Sequence, residues 1–196
     1  MKDGMNIGLG TGSTVNVLLE TIDEMNLTFK KSTFVSTSDR TTDKALKLGL
    51  NVNQEYKGEL DVSIDGADEI DPNGNLIKGG GGALTREKIV AFNSRNLIII
   101  ADSGKYVETL GRFSLPVEIF KLFSAGTIKK LESMGSECRI RDNGAFTTEN
   151  GNLIVDCKFQ TIRDPEKMEN AIKMIPGVVE VGLFVGMANI RSHGFL

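Results

Sequence analysis

Three short runs in the chain combine residue types that could do chemistry together. The first is Gly8-Leu9-Gly10-Thr11-Gly12-Ser13-Thr14. Its glycines let a ligand approach the backbone, and its hydroxyls and a following helix N-terminus would supply donors to an anion such as a phosphate. Neither common nucleotide fingerprint fits. A dinucleotide loop wants glycine where Ser13 stands, and a P-loop wants Gly-Lys before its Ser/Thr. Read alone, the run serves a plain strand-to-helix turn as well as it serves an anion. The second run, Asp65-Gly66-Ala67-Asp68-Glu69, together with Asp71 sets four carboxylates in seven positions. Such crowding suits proton transfer, sugar-hydroxyl binding or a divalent cation. Asp65 and Asp68, flanking Gly66 and Ala67, are the functional candidates, whereas Glu69 and Asp71 read as a solvated acidic turn. The third run extends from Lys78 through four glycines, Gly79 to Gly82, into Ala83-Leu84-Thr85-Arg86-Glu87-Lys88. Each glycine would cost roughly 0.5–1 kcal/mol relative to alanine in regular structure, so the run makes sense where backbone passes against a ligand. Glu87 by itself reads as an ordinary helix-start glutamate complementing the dipole.

The elements that must position these runs alternate in the first half of the chain. Strand-like Met5–Leu9, Thr33–Ser36, Leu60–Ile64 and Leu97–Ala101 are separated by helical patterns. In Val15–Met25, Val15, Leu18, Leu19 and Ile22 share one helix face, and further helices are expected at Thr42–Leu48 and Leu84–Phe92. Unbroken apolar strands joined by helices point to a parallel sheet. Open sheets of this kind bind ligands at the carboxyl ends of their strands, which is where the three runs fall. The second half changes rhythm. Leu115–Phe120, Cys138–Arg141, Leu153–Phe159 and Val178–Val185 read as strands, and Ser124–Met134 and Glu166–Ile175 as helices, the second capped by Asp164-Pro165. That order is the β-α-β-β-α-β, ferredoxin-like unit. The expected architecture is α/β: a Rossmann-like catalytic domain of residues 1–110 plus 186–196, with a smaller α+β domain, 111–185, inserted near the C-terminus.

Composition narrows the function classes. Of the 196 residues, 40% are hydrophobic and 25% charged, and the net charge of −3 argues against non-specific nucleic-acid binding, which needs an excess of Lys and Arg. No apolar run approaches the ~20 residues of a membrane helix, and no secretory leader is evident. Cys138 and Cys157 are expected as buried, reduced thiols in a cytoplasmic protein. Two cysteines and the single His193 make a zinc site improbable.

Taken in order, the three runs resemble the type A ribose-5-phosphate isomerases, as do Leu115-Pro116-Val117-Glu118 and the segment from Met168 to Val179. The similarity extends from about Gly4 to about Gly186. It implies interconversion of D-ribose 5-phosphate and D-ribulose 5-phosphate, in the pentose phosphate pathway, without metal or organic cofactor. It also implies a homodimer or a dimer of dimers. Carried over by position, Glu87 matches the family's catalytic base. Thr11, Gly12, Ser13 and Thr14 match its first substrate loop, Asp65, Gly66, Ala67 and Asp68 its second, and Lys78, Gly79, Gly80 and Gly81 its third. Lys105 matches a further substrate-contacting lysine. The expected catalytic set is Glu87, Asp65 and Lys78. Family chains usually begin with an additional helix and continue past Asn189 into one more strand. The expectation here is a compact or truncated member. Two other classes stay open: a sugar-phosphate-binding regulatory module, for which no attached helix-turn-helix is found, and a coenzyme A transferase-like enzyme.

Overall fold

The computed structural model describes residues 1–193; residues 194–196, expected at the end of the first domain, lie outside the described residues. In chain order the elements are β1 (Asn6–Leu9), α1 (Ser13–Glu24), β2 (Thr33–Ser36), α2 (Asp39–Lys47), β3 (Val62–Asp65), β4 (Glu69–Ile70), β5 (Leu76–Ile77), α3 (Leu84–Phe92), β6 (Leu97–Ala101), β7 (Leu115–Ile119), α4 (Ser124–Glu132), β8 (Glu137–Ile140), β9 (Leu153–Lys158), α5 (Pro165–Lys173), β10 (Val178–Val181), β11 (Leu183–Phe184) and β12 (Ile190–His193). They fall into two compact units. The first takes Met1–Gly66, Arg86–Ser103 and the chain from Met187; the second takes Ala67–Thr85 and Gly104–Gly186. This division differs from one at Leu110, because β5 pairs with β11 and Ile70 bridges to Tyr106, which ties residues 67–85 to the later chain.

The first unit is built on a five-stranded sheet of order β12-β6-β3-β1-β2 in which every pair is parallel. Ile7, Leu9, Val62 and Ile64 of its central strands are buried together with Val15, Leu19 and Ile22 of α1, the i, i+4, i+7 stripe of an amphipathic helix. Each such side chain contributes about 1.5–3 kcal/mol when fully buried. Strand order reverses between β1 and β3, so the unit's topological switch point lies at their carboxyl ends. The strand β12 carries no apolar run to announce it and forms by parallel pairing with β6.

The second unit holds an antiparallel sheet of order β10-β7-β9-β8 with α4 and α5, the spatial order 4-1-3-2 of a βαββαβ unit. Leu115, Val117, Ile119, Leu131, Val155, Ile172 and Val181 form its buried core. Asp164 caps α5 by accepting from the Lys167 N–H at 3.0 Å. A separate three-stranded sheet, β11-β5-β4, lies in the same unit. The single strand expected over Val178–Val185 breaks at Gly182. There the backbone passes so close to Lys78 that a Cβ would fall 2.3 Å from the Lys78 carbonyl oxygen. Gly182 donates to Pro116 O and accepts from Lys78 N–H, at 2.8 and 2.9 Å, and so ties the two sheets together.

Two expectations are corrected. Cys138 and Cys157 are not reduced thiols: they face each other in register across β8 and β9, Cα atoms 4.1 Å apart, and are joined as a disulfide. Nor do Glu69 and Asp71 form a solvated turn. Glu69 is fully buried and accepts from the N–H groups of Gly111 (2.8 Å) and Phe113 (2.6 Å). Asp71 is buried and accepts from the backbone and side-chain amides of Asn75, both at 2.8 Å.

Candidate functional site

In the first unit the glycine run leaves β1 and the carboxylate run leaves β3, side by side at the switch point. Gly10 donates to Ile64 O at 2.9 Å. A side chain at position 10 is impossible without rearrangement, since its Cβ would sit 1.9 Å from Asp65 Cγ. The Asp65 carboxylate therefore rests on the bare Cα of Gly10; it is buried, and its Oδ1 accepts from the Gly66 N–H at 2.7 Å. Thr14 lies over Gly66, its Oγ1 3.1 Å from where a Cβ would stand. Helix α1 begins at Ser13 with Gly12 at its cap position, no side chain capping that end and no acid in the first turn. Opening N–H groups and a positive dipole end of this kind suit an anion.

The Thr11 side chain has partners within the fold. Its hydroxyl bonds Thr37 Oγ1 at 2.7 Å and Ser38 Oγ at 2.9 Å, and Thr41 Oγ1 donates to Gly10 O at 3.0 Å. The Ser/Thr-rich turn after β2 thus braces the glycine turn after β1. Sequence reasoning saw that turn without seeing its role, because only the sheet order places β2 beside β1. Glu87 lies in the first turn of α3 and is 3% exposed.

In the second unit Lys78, at the end of β5, is also 3% exposed, with its ammonium 5.4 Å from the centre of the Phe184 ring, within cation–π range. Gly79, Gly80 and Gly81 follow. Asp68 Oδ2 accepts from the Gly80 N–H at 2.8 Å, so this carboxylate anchors the glycine loop. Ala67 directly precedes it, and Lys105 is half-buried in a single 3-10 turn, Ser103–Lys105. Among the described residues no three His, Cys, Asp or Glu side chains are grouped to hold a metal ion, and no helix is long and apolar enough to cross a membrane.

Two features of this unit escaped the motif reading. Arg141 reaches the glycine loop from the turn directly after β8, and fully buried Glu118 on β7 accepts from Thr85 Oγ1 at 2.5 Å, two residues before Glu87 in α3. Glu118 also accepts from Thr148 Oγ1 (2.9 Å), Asn152 Nδ2 (2.9 Å) and Asn150 Nδ2 (3.1 Å). The signal for Glu118 was a lone acid in an otherwise apolar strand; Arg141 offered none.

Comparison with known proteins follows the same lines. The chain matches the family model described as ribose 5-phosphate isomerase A (phosphoriboisomerase A) over residues 33–194. It is 45% identical over 184 residues to the ribose-5-phosphate isomerase A of Picrophilus torridus, a match covering 94% of this chain and 83% of that protein. Among solved structures it is similar to ribose 5-phosphate isomerase A from Neisseria gonorrhoeae, with a TM-score of 0.92 and 38% identity, covering 100% of this chain and 86% of that one. A D-ribose-5-phosphate isomerase solved in complex with phospho-erythronic acid gives a TM-score of 0.89 at 35% identity, covering 97% of this chain and 87% of that one.

Proposed function

The chain belongs to the ribose 5-phosphate isomerase A family, and from that premise we infer that it interconverts D-ribose 5-phosphate and D-ribulose 5-phosphate in the pentose phosphate pathway. The observation that carries the reading in this molecule is the pairing, at one switch point, of an uncapped helix start with the buried carboxylate of Asp65 seated on Gly10. An anion-holding end and a proton-handling end are what a sugar phosphate isomerase needs.

The chemistry assigns a role to each candidate. In the open-chain aldose the carbonyl at C1 acidifies the proton on C2. Glu87 removes that proton, the electron pair becomes the C1–C2 double bond, and negative charge collects on O1 of an enediolate. The O2 hydroxyl proton passes to O1, Glu87 returns its own proton to C1, and the ketone stands at C2 with Glu87 again ionised. Lys78 and N–H groups of the glycine loop stabilise the oxyanion, a task worth several kcal/mol when the donors are preorganised. Asp65 handles hydroxyl protons during ring opening, and Asp68 keeps the loop in place. Ser13, Thr14 and the start of α1 hold the phosphate or sugar hydroxyls, with Thr11 bracing their turn, and Lys105 adds a cation. Incubation with ribose 5-phosphate in D2O, without coenzyme A, is expected to place solvent deuterium on the carbon that is deprotonated. Absence of exchange would transfer the reading to a sugar-phosphate-binding regulatory module.

A cytoplasmic homodimer or homotetramer belongs to the same reading. Phe120, Leu122, Phe123 and Met174 of the second unit are 55–87% exposed, an apolar surface that a second copy would cover. Phe123 moreover holds a left-handed backbone, φ 51°, that a bulky residue rarely adopts. Sedimentation equilibrium returning only monomer would remove the oligomer. A disulfide is uncommon in a reducing compartment, so recovery of the chain outside the cytoplasm in cell fractionation would remove the address.

A further inference from the structure

Arg141 stands 62 residues from the glycine loop in sequence, yet its Nη1 donates to Gly79 O at 3.0 Å and to Gly80 O at 3.2 Å. The guanidinium is not loose. Its Nε and Nη2 form a two-pronged pair with Asp156, at 2.9 and 2.5 Å, and its side chain is only 13% exposed. It also lies 5.6 Å from the centre of the Phe146 ring, and that ring rests on Gly82, at the far end of the loop. Behind Arg141 the chain turns sharply: Asp142, Asn143 and Gly144 all have positive φ, 48°, 51° and 89°. Two successive non-glycine residues in this region hold strain that the surrounding structure must impose.

The consequence follows from peptide geometry. All peptides here are trans, so the C=O and N–H of each unit point to opposite sides of the chain. Arg141 draws the carbonyls of Gly79 and Gly80 to one side, which turns the N–H groups of Gly80 and Gly81 to the other. Asp68 takes the first of these. The second belongs to Gly81, an exposed residue.

We propose that Arg141, locked by Asp156, is the positioning residue of the glycine loop, and that the group it aims is the Gly81 N–H, a donor to the oxyanion that develops on the substrate. The proposal rests on the isomerase reading. Arg141 does not touch the substrate. It fixes two peptide planes, and a loop of four glycines cannot fix them unaided. Lysine is a poor replacement, because a single ammonium cannot reproduce the planar fork that grips a carboxylate and two carbonyls at once.

The test compares two constants that a purely structural role would leave in fixed ratio. Phospho-erythronic acid presents a planar carboxylate anion resembling the enediolate, whereas ground-state ribose 5-phosphate carries no charge at that end. In Arg141→Met, affinity for phospho-erythronic acid and kcat are expected to fall together by about tenfold or more, on the scale of losing a preorganised oxyanion donor. KM should change by no more than about twofold, since ground-state binding is not what the donor serves. Asp156→Asn keeps the guanidinium, loosens its lock and should give the same pattern with smaller amplitude; it also serves if Arg141→Met fails to fold. Arg141→Lys should not restore the wild-type ratio. Unchanged Ki/KM ratios in the folded variants overturn the proposal, as does a parallel rise of Ki and KM. Wild-type protein that neither turns over ribose 5-phosphate nor binds phospho-erythronic acid overturns the isomerase reading instead.

Discussion

Replacing Glu87 by Gln is expected to lower kcat for ribose 5-phosphate by about 10²- to 10⁴-fold, the usual contribution of a positioned general base. The amide has the shape of the acid and can still accept a hydrogen bond, but it cannot take the C2 proton. Binding should therefore persist, with KM near the wild-type value, and exchange of substrate hydrogen with solvent should be lost in step with turnover. The residue sits in the first turn of α3, buried to 3% exposure, so thermal unfolding must be recorded beside the kinetics. An enclosed helix-start carboxylate interacts with the dipole by up to about 2 kcal/mol, and a loss of stability on that scale leaves a protein of ordinary stability folded at assay temperature. Near-normal turnover by the folded variant in a direct assay of ketose formation would show that the base lies elsewhere.

Glu118→Ala is expected to produce the largest loss of stability of any single change near the motifs, about 3–5 kcal/mol. The carboxylate is fully buried and answers donors from Thr85, Thr148, Asn150 and Asn152. Removing it strands the buried Thr148 and Asn152 donors, each at about 1–3 kcal/mol, and leaves a cavity besides. Thr85 and Asn150 are less enclosed and can turn to water, which keeps the total below the sum over four donors. For a chain of this length the loss corresponds to a fall in Tm of roughly 6–20 °C. Glu118→Gln keeps the volume and one acceptor oxygen and should cost less than half as much. Urea midpoints for the pair decide the matter: if Glu118→Ala unfolded at the wild-type midpoint, the network would have no energetic weight.

The sequence was most readable where chemistry and local periodicity coincide. Thr33–Ser36, Leu84–Phe92 and Leu97–Ala101 are recovered to the residue, because each is an apolar run or stripe bounded by turn-forming residues. The glycine and carboxylate runs could be placed at strand ends for the same reason. What was hidden depends on partners distant along the chain. Ile190–His193 is a strand only because β6 has an open edge beside it. Cys138 meets Cys157 only through the register of β8 on β9. The bonds of the candidate ligand donor Thr11 to the hydroxyls after β2 exist only because the sheet order sets β2 beside β1. Arg141 had no motif of its own; its role arises where a guanidinium, an Asp156 carboxylate and two glycine carbonyls happen to meet.

The interleaving of the two units along the chain bears on how the molecule is made. A ribosome delivers β12 after every strand of the second unit, although β12 completes the sheet of the first. Until residues 190–193 emerge, β6 presents one unpaired edge, and its sequence is Leu97-Ile98-Ile99-Ile100-Ala101. Short, uncharged, strongly β-forming edges of this kind are templates for pairing with other chains. Nascent protein therefore passes through a stage in which this apolar strand has one edge open, before its last partner strand has been made. Parallel pairing of Ile190–His193 with Ile98–Ala101 then closes that edge.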